Sequence, residues 1–489
     1  MTASAPSLHG GPWPTLEQLL CLGGDARIAL DPVTGLNAYG CPPLPRDEFP
    51  AYGSCTASIL SAKGQAAARD LLERLLDGES APGLAYGRLR ATLSGLLGLD
   101  PGAKIVFAAS GTDLHLLAAQ AVAAAGPGAL TVLMADASET GCGVPAALAG
   151  KHPGPRSALA GPVPVSSPLE MGAEPRLVEL PLRSAEGLPR AAEELDAAFE
   201  AAASRAVDAG QRVLLVLSDL SKTGLLAPSP ACALRLRQRF SGRLDVLVDA
   251  CQLRLSPATL RAYLARGALV AITGSKFATG PAFCGALLLP AATAQAWAGQ
   301  RLPASLAAYS ARGDWPQGWT VRAALQAEAN LGLLLRWEAA LAEMRAFLAL
   351  PEAAVAGFLA DFAAAVQARL ARPRALEALP APAPGRGLGT DQGWDATPTI
   401  FPFLLKQGSD YLDGAGVDRV YQTLMSSHGQ IGRPLRCGQR QGRPLAALRL
   451  CSSMRLVADA LAPEGRGPQA VIAGALRLLD AAEAAAARA

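Results

Sequence analysis

Two polar segments, each directly after an apolar run, carry side chains that could activate a small molecule. The run Leu244–Val248 is followed by Asp249, and the run Ala268–Thr273 is followed by Gly274-Ser275-Lys276. A carboxylate and a primary amine therefore stand one strand–helix–strand unit apart, 27 positions from 249 to 276. In an open α/β sheet, ligands bind beyond the carboxyl ends of the strands. Both groups are therefore expected at the same rim.

A third segment, Ser110-Gly111-Thr112, follows the apolar run Lys104–Ala108 and leads into a predicted helix. A Gly-Thr turn at a helix N-terminus offers free backbone N–H groups and a hydroxyl, which suit an anion such as phosphate. Each segment alone has an ordinary explanation as a helix cap, a rim carboxylate or a solvated lysine. Together they supply the phosphate site, the amine and the carboxylate that pyridoxal phosphate (PLP) requires.

The same segments resemble motifs of the fold-type-I PLP enzymes, particularly the class V aminotransferase and cysteine desulfurase superfamily. The stretch Asp249-Ala-Cys-Gln252 is similar to that family's Asp-x-x-Gln motif. The stretch Thr273-Gly-Ser275-Lys276, followed by Gly280-Pro281, is similar to its lysine motif, with Ser in place of His before the lysine. The resemblance implies the PLP-dependent transferase (aspartate aminotransferase) fold, PLP as the cofactor and a Schiff base at Lys276.

The resemblance also implies roles for the matching residues. They are Lys276 and Asp249 as catalytic residues, with Asp249 at the pyridine nitrogen, Gln252 at the ring hydroxyl, and Gly111, Thr112, Thr273 and Ser275 around the phosphate. Arg449 resembles the arginine that grips a substrate α-carboxylate with two hydrogen bonds. A surface charge on an edge strand is the other explanation for Arg449, and three arginines compete for its role: Arg433, Arg436 and Arg455.

Two acidic residues mark departures from the family pattern. The position that often stacks a His on the cofactor ring falls on Glu139 or Thr140 here, so an aromatic lid is absent or comes from elsewhere. Asp219 stands where the family often has Asn, and it is expected to contact the cofactor's edge or the substrate. Both Glu139 and Asp219 are therefore predicted cofactor contacts.

Two further residues have competing interpretations. His115 is an alternative for the residue that stacks on the cofactor ring, but it lies three residues past Thr112 inside a predicted helix, where a histidine is more often packed in the core. Lys222 is a rival for the Schiff-base lysine. We prefer Lys276 because its phosphate-binding neighbours and its spacing from Asp249 fit together.

The elements that must position these residues form an α/β pattern. Mostly continuous apolar runs indicate strands buried on both faces, as in a largely parallel sheet covered by helices. Seven runs predict a seven-stranded sheet: Lys104–Ala108, Thr131–Ala135, Leu177–Leu180, Val213–Leu217, Leu244–Val248, Ala268–Thr273 and Gly285–Leu289. A long helix is predicted at Val321–Leu348. A smaller C-terminal α+β domain follows.

The length of 489 residues accommodates several domains. We expect an N-terminal arm over 1–50, a large PLP-binding α/β domain over 51–300, a connecting loop and helix over 301–350, and a small α+β domain over 351–489. By resemblance, such sites borrow residues across a homodimer interface. Tyr309, Arg312 and the loop Trp315–Trp319 are candidates for that contribution, with an ordinary surface loop as the alternative.

The composition excludes several classes of protein. The chain carries 44 Lys+Arg against 41 Asp+Glu, a net charge of +3. This small excess gives no general grip on nucleic acid or acidic lipid, so neither is an expected partner. Nine cysteines without a CxxC pair and four distant histidines give little support to a metal site. The N-terminus lacks the pattern of a signal peptide, so the cytoplasm is the expected compartment.

The reaction is less constrained than the cofactor. PLP weakens the bonds at Cα of an amino acid substrate, and Lys276 is the natural base for a proton at Cα. We therefore favour an aminotransferase. The alternative is a C–S lyase or cysteine desulfurase, because Cys437 resembles the persulfide cysteine ahead of the arginine strand. Neighbouring arginines are expected to lower the pKa of this thiol, although a small buried residue is the other explanation.

Other classes of protein were weighed against this enzyme. A Rossmann-type dehydrogenase needs a GxGxxG turn after an early strand, and none occurs at 110–113. A non-catalytic scaffold with the same fold would bind no chromophore.

Overall fold

A seven-stranded sheet forms the centre of the large α/β domain in the computed structural model, which describes residues 14–169, 174–372, 375–440 and 442–489. Its strands are β1 Lys104–Ala108, β2 Leu130–Ala135, β3 Arg176–Leu180, β4 Arg212–Ser218, β5 Leu244–Ala250, β6 Leu269–Thr273 and β7 Gly285–Leu289. The order across the sheet is β1-β7-β6-β5-β4-β2-β3, and β7 alone runs antiparallel to its neighbours. The predicted α/β class with a mostly parallel seven-stranded sheet is confirmed.

Ten helices accompany this sheet within the described residues. They are α1 Leu16–Leu20, α2 Ala62–Leu76, α3 Pro82–Leu97, α4 Gly111–Ala124, α5 Val144–Leu148, α6 Ala192–Asp208, α7 Pro230–Arg239, α8 Pro257–Ala265, α9 Ala291–Ala298 and α10 Leu331–Leu348. The predicted helix at Val321–Leu348 was too long. Helix α10 begins after Asn330, whose side chain accepts a hydrogen bond of 3.0 Å from Leu333 N. An N-cap of this kind satisfies a backbone donor that the first helical turn leaves free.

The two faces of the sheet belong to different hydrophobic cores, because successive side chains of a strand point to opposite sides. In β4, Val213 and Leu215 join a core shared with helices α6, α7, α8 and α10. Leu214 and Val216 join a second core shared with α4 and α9. This double coverage explains why the strands read as continuous apolar runs, and it leaves the strand ends as the place for polar chemistry.

A five-stranded antiparallel sheet forms the core of the C-terminal α+β domain. Its strands are β8 Leu376–Ala378, β9 Ile400–Gln407, β10 Gly432–Arg440 and β11 Arg443–Cys451, in the order β8-β9-β11-β10, and Asp410–Tyr411 pairs with β9. Its helices are α11 Glu352–Leu370, α12 Gly414–Ser427, α13 Met454–Leu461 and α14 Pro468–Ala486. The sequence interpretation placed Cys437 in a loop, but Cys437 lies within strand β10.

Helix α11 is long and apolar enough to cross a membrane by length and composition alone. Its side chains Phe358, Phe362 and Val366 are buried in the main hydrophobic core. A core helix of a globular domain meets the same criteria, and the packing of α11 has this character.

The segment after the N-terminal arm ties the C-terminal sheet to the large domain. Tyr52 N donates to Gln430 O, and Cys451 N donates to Tyr52 O, each over 2.8 Å. Ser54 Oγ donates to Ser452 O over 2.7 Å. These bonds bring residues 55 and 56 beside the end of β11. The segment therefore contributes to the site that the strand ends form.

Candidate active site

A cavity of about 340 Å³ opens beside the carboxyl ends of β5 and β6. All three polar segments singled out in the sequence line it, through Gly111, Thr112, Asp249, Ser275 and Lys276. Its volume is in the range of about 300–1,000 Å³ that is usual for small-molecule sites. The cavity can therefore admit a ligand of that size against these groups.

The turn into α4 has the features of an anion cradle. Ser110 caps the helix by accepting from Asp113 N over 3.1 Å, while the N–H groups of Gly111 and Thr112 make no hydrogen bond with any described residue. A Cβ at Gly111 would lie 2.8 Å from the Cys251 sulfur, so only glycine fits this close approach. Free N–H groups at a helix N-terminus attract phosphate.

Two hydroxyl residues after β6 complete the cradle. Thr273 Oγ1 donates to the Cys251 carbonyl over 2.6 Å, which ties the end of β6 to the segment after β5. Ser275 Oγ lies 3.4 Å from Thr273 Oγ1 and lines the cavity with it. The structure thus brings these two predicted phosphate contacts to the same cavity as Thr112.

Asp249 forms an ion pair with a histidine that the sequence interpretation treated as packing. Its Oδ2 lies 3.3 Å from His115 Nε2, and its Oδ1 accepts from Cys251 N over 3.1 Å. His115 Nδ1 lies 2.6 Å from Gly111 O, so both ring nitrogens face acceptors. Burial disfavours the imidazolium, but Asp249 outweighs it and raises the pKa of His115. His115 is 1% exposed, as expected of a histidine packed in the core, and it is in addition a partner of the site carboxylate.

Two amines line the cavity. The Lys276 ammonium group makes no hydrogen bond or ion pair with any described residue, while its backbone carbonyl accepts from Ser58 Oγ over 3.0 Å. Lys222 lies on the loop after β4 and lines the same cavity. Burial, and then the charges of Arg449 and Lys276, lower the pKa of Lys222 to about 8. Contact with the cavity alone therefore does not decide which of the two lysines binds the cofactor.

Arg449 of β11 reaches the cavity from the C-terminal domain. Its Nη1 donates to the Lys222 carbonyl over 3.2 Å and its Nη2 to the Arg433 carbonyl over 2.5 Å. Of the competing arginines, Arg433 lines the cavity, whereas Arg455 pairs with Glu343 at 3.0 Å. Arg449 is 3% exposed and so is not a surface charge.

Glu139 and Asp219 were expected at the cofactor, but neither lines the cavity. Glu139 is buried and accepts from Arg183 Nε over 2.6 Å, from Ser221 and from Thr223. Asp219 is buried beneath the strand ends, where it pairs with Arg386 at 2.6 Å. Their carboxylates are satisfied inside the protein, so we place neither of them among the cavity contacts.

Gln252 is buried next to the cavity rather than in its lining. Its Nε2 donates to the Cys55 carbonyl over 3.1 Å, and its Oε1 is buried without a partner among the described residues. The aromatic rings that line the cavity are those of Tyr39 and Phe283, so they do not come from the segment around Glu139.

Two thiols contrast in their surroundings. Cys437 is 3% exposed in a cluster of apolar side chains outside the cavity lining, and burial raises the pKa of its thiol to about 11. Cys55 lines the cavity. Although burial opposes ionisation, a hydrogen bond with Cys451 and the charges of Arg449 and Arg254 lower the pKa of the Cys55 thiol. The expected lowering at Cys437 was wrong, because burial outweighs the neighbouring arginines.

Most of the residues offered as a contribution to a partner subunit are part of the chain's own core, whereas Arg312 is partly exposed, pairs with Glu328 at 3.6 Å and stays a candidate. Trp315 is 1% exposed, Tyr309 is 2% exposed and Trp319 is 7% exposed, and all three join the core on the α4 side of the sheet. They cannot line a neighbouring subunit's site in this conformation.

Among the described residues, no group of three or more His, Cys, Asp or Glu side chains is arranged to hold a metal ion.

Comparison with known proteins finds solved structures with a similar fold but no protein that is similar in sequence. No protein-family model and no curated protein sequence matches the chain. Among solved structures, the cysteine desulfurase CsdA from Escherichia coli is similar with a TM-score of 0.54 at 15% identity, over 89% of this chain and 95% of that chain. The cystine C–S lyase C-DES is similar with a TM-score of 0.52 at 14% identity, over 89% and 98% of the two chains.

A third neighbour, serine palmitoyltransferase with PLP, has a TM-score of 0.51 at 13% identity over 89% of this chain and 87% of that chain. The chain has the fold of the fold-type-I PLP-dependent enzymes. The resemblance stated from the sequence motifs is confirmed at the level of this fold. The identities of 13–15% establish no reaction for this fold-type-I chain.

Sequence reasoning missed two parts of the site. His115 carries a weak signal, since it stands four residues after Gly111 on the same face of α4. Arg27 and Tyr39 line the cavity from the N-terminal arm, and no motif in the sequence points to them. Residues contributed by irregular chain far from the motifs are visible only in the folded structure.

Proposed function

We propose that this chain is a PLP-dependent enzyme that acts at Cα of an amino acid, with Lys276 as the lysine that binds the cofactor's aldehyde. One observation carries the proposal. A lysine without a partner, a carboxylate paired with histidine and the free N–H groups of a helix N-terminus line the same cavity. These groups suit the aldehyde, the pyridine nitrogen and the phosphate of PLP.

The residues fit the cofactor in charge as well as in type. The opening of α4, with Thr273 and Ser275, would hold the phosphate by N–H and hydroxyl donors. Asp249 would face the pyridine nitrogen. The imidazolium of His115 and the Lys276 ammonium favour the charged carboxylate, and they hold the pKa of Asp249 well below its usual range despite burial. A carboxylate that stays ionised can keep the pyridine nitrogen protonated.

The protein's own residues then divide the work. PLP, when bound, supplies an electron sink for the bonds at Cα. The Lys276 amine is placed to take a proton from Cα and to return it elsewhere on the reacting molecule. Arg449 is the candidate for the substrate's α-carboxylate, because its guanidinium lines the cavity and its Nε is buried without a partner. We favour transamination, which needs only these groups.

Cleavage of a C–S bond is the second candidate. The cysteine that suggested it in the sequence, Cys437, lies outside the cavity lining with a raised pKa. Cys55 now favours this reading, since it lines the cavity beside Arg449. A thiolate there could attack a sulfur atom of a substrate, so that an S–S bond forms as the substrate's C–S bond breaks and its electron pair leaves with the carbon.

An absorption spectrum of the purified protein with PLP tests the cofactor assignment. We expect a visible band that borohydride bleaches. We expect Lys276→Ala to lack this band and the matched variant Lys222→Ala to keep it. A colourless protein that does not respond to PLP would refute the proposal, and a band that Lys222→Ala alone removes would assign the linkage to the rival lysine.

The reaction type is tested by products. We expect an amino donor and a keto acid to exchange the amino group, measured as new keto acid from a panel of amino acids. Release of sulfide or ammonia instead would support C–S cleavage. In that case Cys55→Ala should abolish sulfide transfer while the matched variant Cys437→Ala retains it.

We further propose a cytoplasmic homodimer. The dimer rests on the fold, in which neighbouring subunits commonly complete each other's sites. Sedimentation velocity on the holoenzyme is the direct measurement, and a monomer at working concentration with full activity would contradict it.

A further inference from the structure

Three cations meet at one side of the cavity without a carboxylate among the described residues. They are Lys222, Arg433 and Arg449, and all three line the cavity. The acidic side chain in the lining is Asp249, which already pairs with His115. Two further cations line the cavity: Arg27 pairs with Asp25 at 2.5 Å, and Lys276 is assigned to the cofactor. Even with the Cys55 thiol ionised beside Arg449, the cavity therefore holds an excess of positive charge outside the part assigned to the cofactor.

The Arg449 side chain is anchored to the backbone of the other two residues, and all three line the same cavity. Its guanidinium donates to the backbone carbonyl of Lys222 and to that of Arg433, and its Nη2 also lies 3.3 Å from Thr56 Oγ1. These bonds fix Arg449 between two chain segments that come from different domains. Its Nε is buried and has no partner among the described residues. A buried donor left unpaired costs free energy and marks a place where a ligand atom is missing.

The cluster spans the cavity from its depth to its mouth. Arg449 is buried, Lys222 is half-buried and Arg433 is exposed. Arg433 Nη1 donates to Ala38 O over 2.6 Å, which holds it against the N-terminal arm. Exposure to solvent therefore increases from Arg449 through Lys222 to Arg433.

One α-carboxylate does not balance this cluster. Like charges at short range in a partly desolvated site repel one another, and an anion between them reverses the sign of the interaction. The lowered pKa of Lys222 reports this repulsion in addition to burial. A single carboxylate on Arg449 leaves two cations facing the same space.

We propose that the substrate is an amino acid whose side chain carries a second anionic group, a carboxylate or a phosphate, and that Lys222 and Arg433 bind this group while Arg449 binds the α-carboxylate. The inference rests on the proposed function and adds the substrate class. It assigns Lys222 and Arg433 to substrate specificity and leaves Lys276 at the cofactor.

The test uses the PLP-loaded protein and isosteric pairs of amino acids. The visible band is titrated with L-aspartate, L-glutamate and O-phospho-L-serine, and with L-asparagine, L-glutamine and L-serine as neutral partners. We expect each preferred acidic ligand to bind about tenfold to a hundredfold more tightly than its neutral partner, the scale of a charge-assisted hydrogen bond. Aspartate and phosphoserine distinguish a carboxylate from a phosphate.

Variants separate the cluster from the rest of the site. Lys222→Met and Arg433→Gln should weaken the acidic ligand about tenfold or more and change the neutral partner less than about threefold. Arg436→Gln is the matched control, because Arg436 is exposed on the same strand as Arg433 but does not line the cavity. We expect that variant to bind both ligands like the parent.

The outcomes distinguish the two proposals. A protein that forms no band with PLP overturns the proposed function. A protein that forms the band but binds acidic and neutral partners equally, or responds to no acidic amino acid, overturns only the substrate class. A Lys222→Met variant that loses affinity for PLP itself, with unchanged preference among amino acids, assigns Lys222 to the cofactor and overturns its role here.

Discussion

Two carboxylates end neighbouring strands of the large sheet, yet they have opposite surroundings. Asp249 ends β5 and Asp219 follows β4, and the register pairs Ser218 with Asp249. Asp249 faces the cavity and pairs with His115. Asp219 is fully buried, where Arg386 binds both of its oxygens over 2.6 and 2.7 Å and Tyr263 Oη donates over 2.7 Å.

The difference shows that a place at the carboxyl edge of a sheet does not by itself make a carboxylate functional. The carboxylate oxygens of Asp219 are already hydrogen-bonded to partners that a ligand cannot displace, because Arg386 is also buried. It joins the loop around 386 to the sheet and acts in stability. Asp249 keeps one side open to the cavity, and a ligand can use its charge there.

Asp249→Asn should have the largest effect on function. We expect activity at the preferred amino acid to fall by a factor of about 10²–10⁴, because the amide cannot hold a proton on the pyridine nitrogen by charge. The midpoint of urea unfolding should fall less than that of Asp219→Ala, because the buried His115 that loses its partner can release its proton, whereas Arg386 cannot. Activity within a few fold of the parent would show that the charge of Asp249 is not needed for function.

Asp219→Ala should have the largest effect on stability. Removing Asp219 breaks a buried ion pair and leaves Arg386 with the more distant Asp395 carboxylate at 3.8 Å, which costs about 3 kcal/mol of unfolding free energy. Urea unfolding followed by circular dichroism measures this loss. Arg386→Met in the same background should recover part of the stability. Unchanged unfolding of Asp219→Ala would show that the pair contributes nothing.

His115 gives the comparison a pH dependence. Its pKa is raised above 6.5 in the folded protein, so its pair with Asp249 stabilises the fold fully below the unfolded pKa. This contribution is lost as the pH rises through the folded pKa. The difference in unfolding free energy between the parent and His115→Gln should therefore shrink from pH 6 towards alkaline pH, while the same difference for Asp219→Ala stays constant. A difference that grows with pH would contradict the raised pKa.

The smallest effect is expected at the two thiols. Cys55 lines the cavity and Cys437 is buried outside it, so they differ in the same way as the two carboxylates. Cys437→Ala should keep parent activity within about twofold and cost on the order of 1 kcal/mol, the size of a small core truncation. Iodoacetamide at pH 7 should modify Cys55 before Cys437 in the native protein, read by peptide mass. Bound PLP should slow the reaction at Cys55. Faster labelling of Cys437 would show that the strand opens to solvent.

Much of the fold was readable from the sequence. The strands Lys104–Ala108 and Gly285–Leu289 have the predicted bounds, and the other five differ by a few residues at their ends. Continuous apolar runs predict such strands well because both faces of the sheet are covered. The strand carrying Cys437 was missed because its exposed and buried residues do not alternate regularly, and its pairing has register shifts.

Only part of the candidate site could be predicted from the sequence. The sequence by itself determined the polar segments after β1, β5 and β6, because the chemistry of a strand end depends on residues adjacent in the chain. The tertiary structure alone decided which carboxylate stays open to the cavity, which thiol is near it and which cations share it. Those properties depend on partners more than 100 residues away, as with Arg386 for Asp219 and Arg449 for Lys222. Burial and pairing are properties of the packed chain, and no local pattern of residue types contains them.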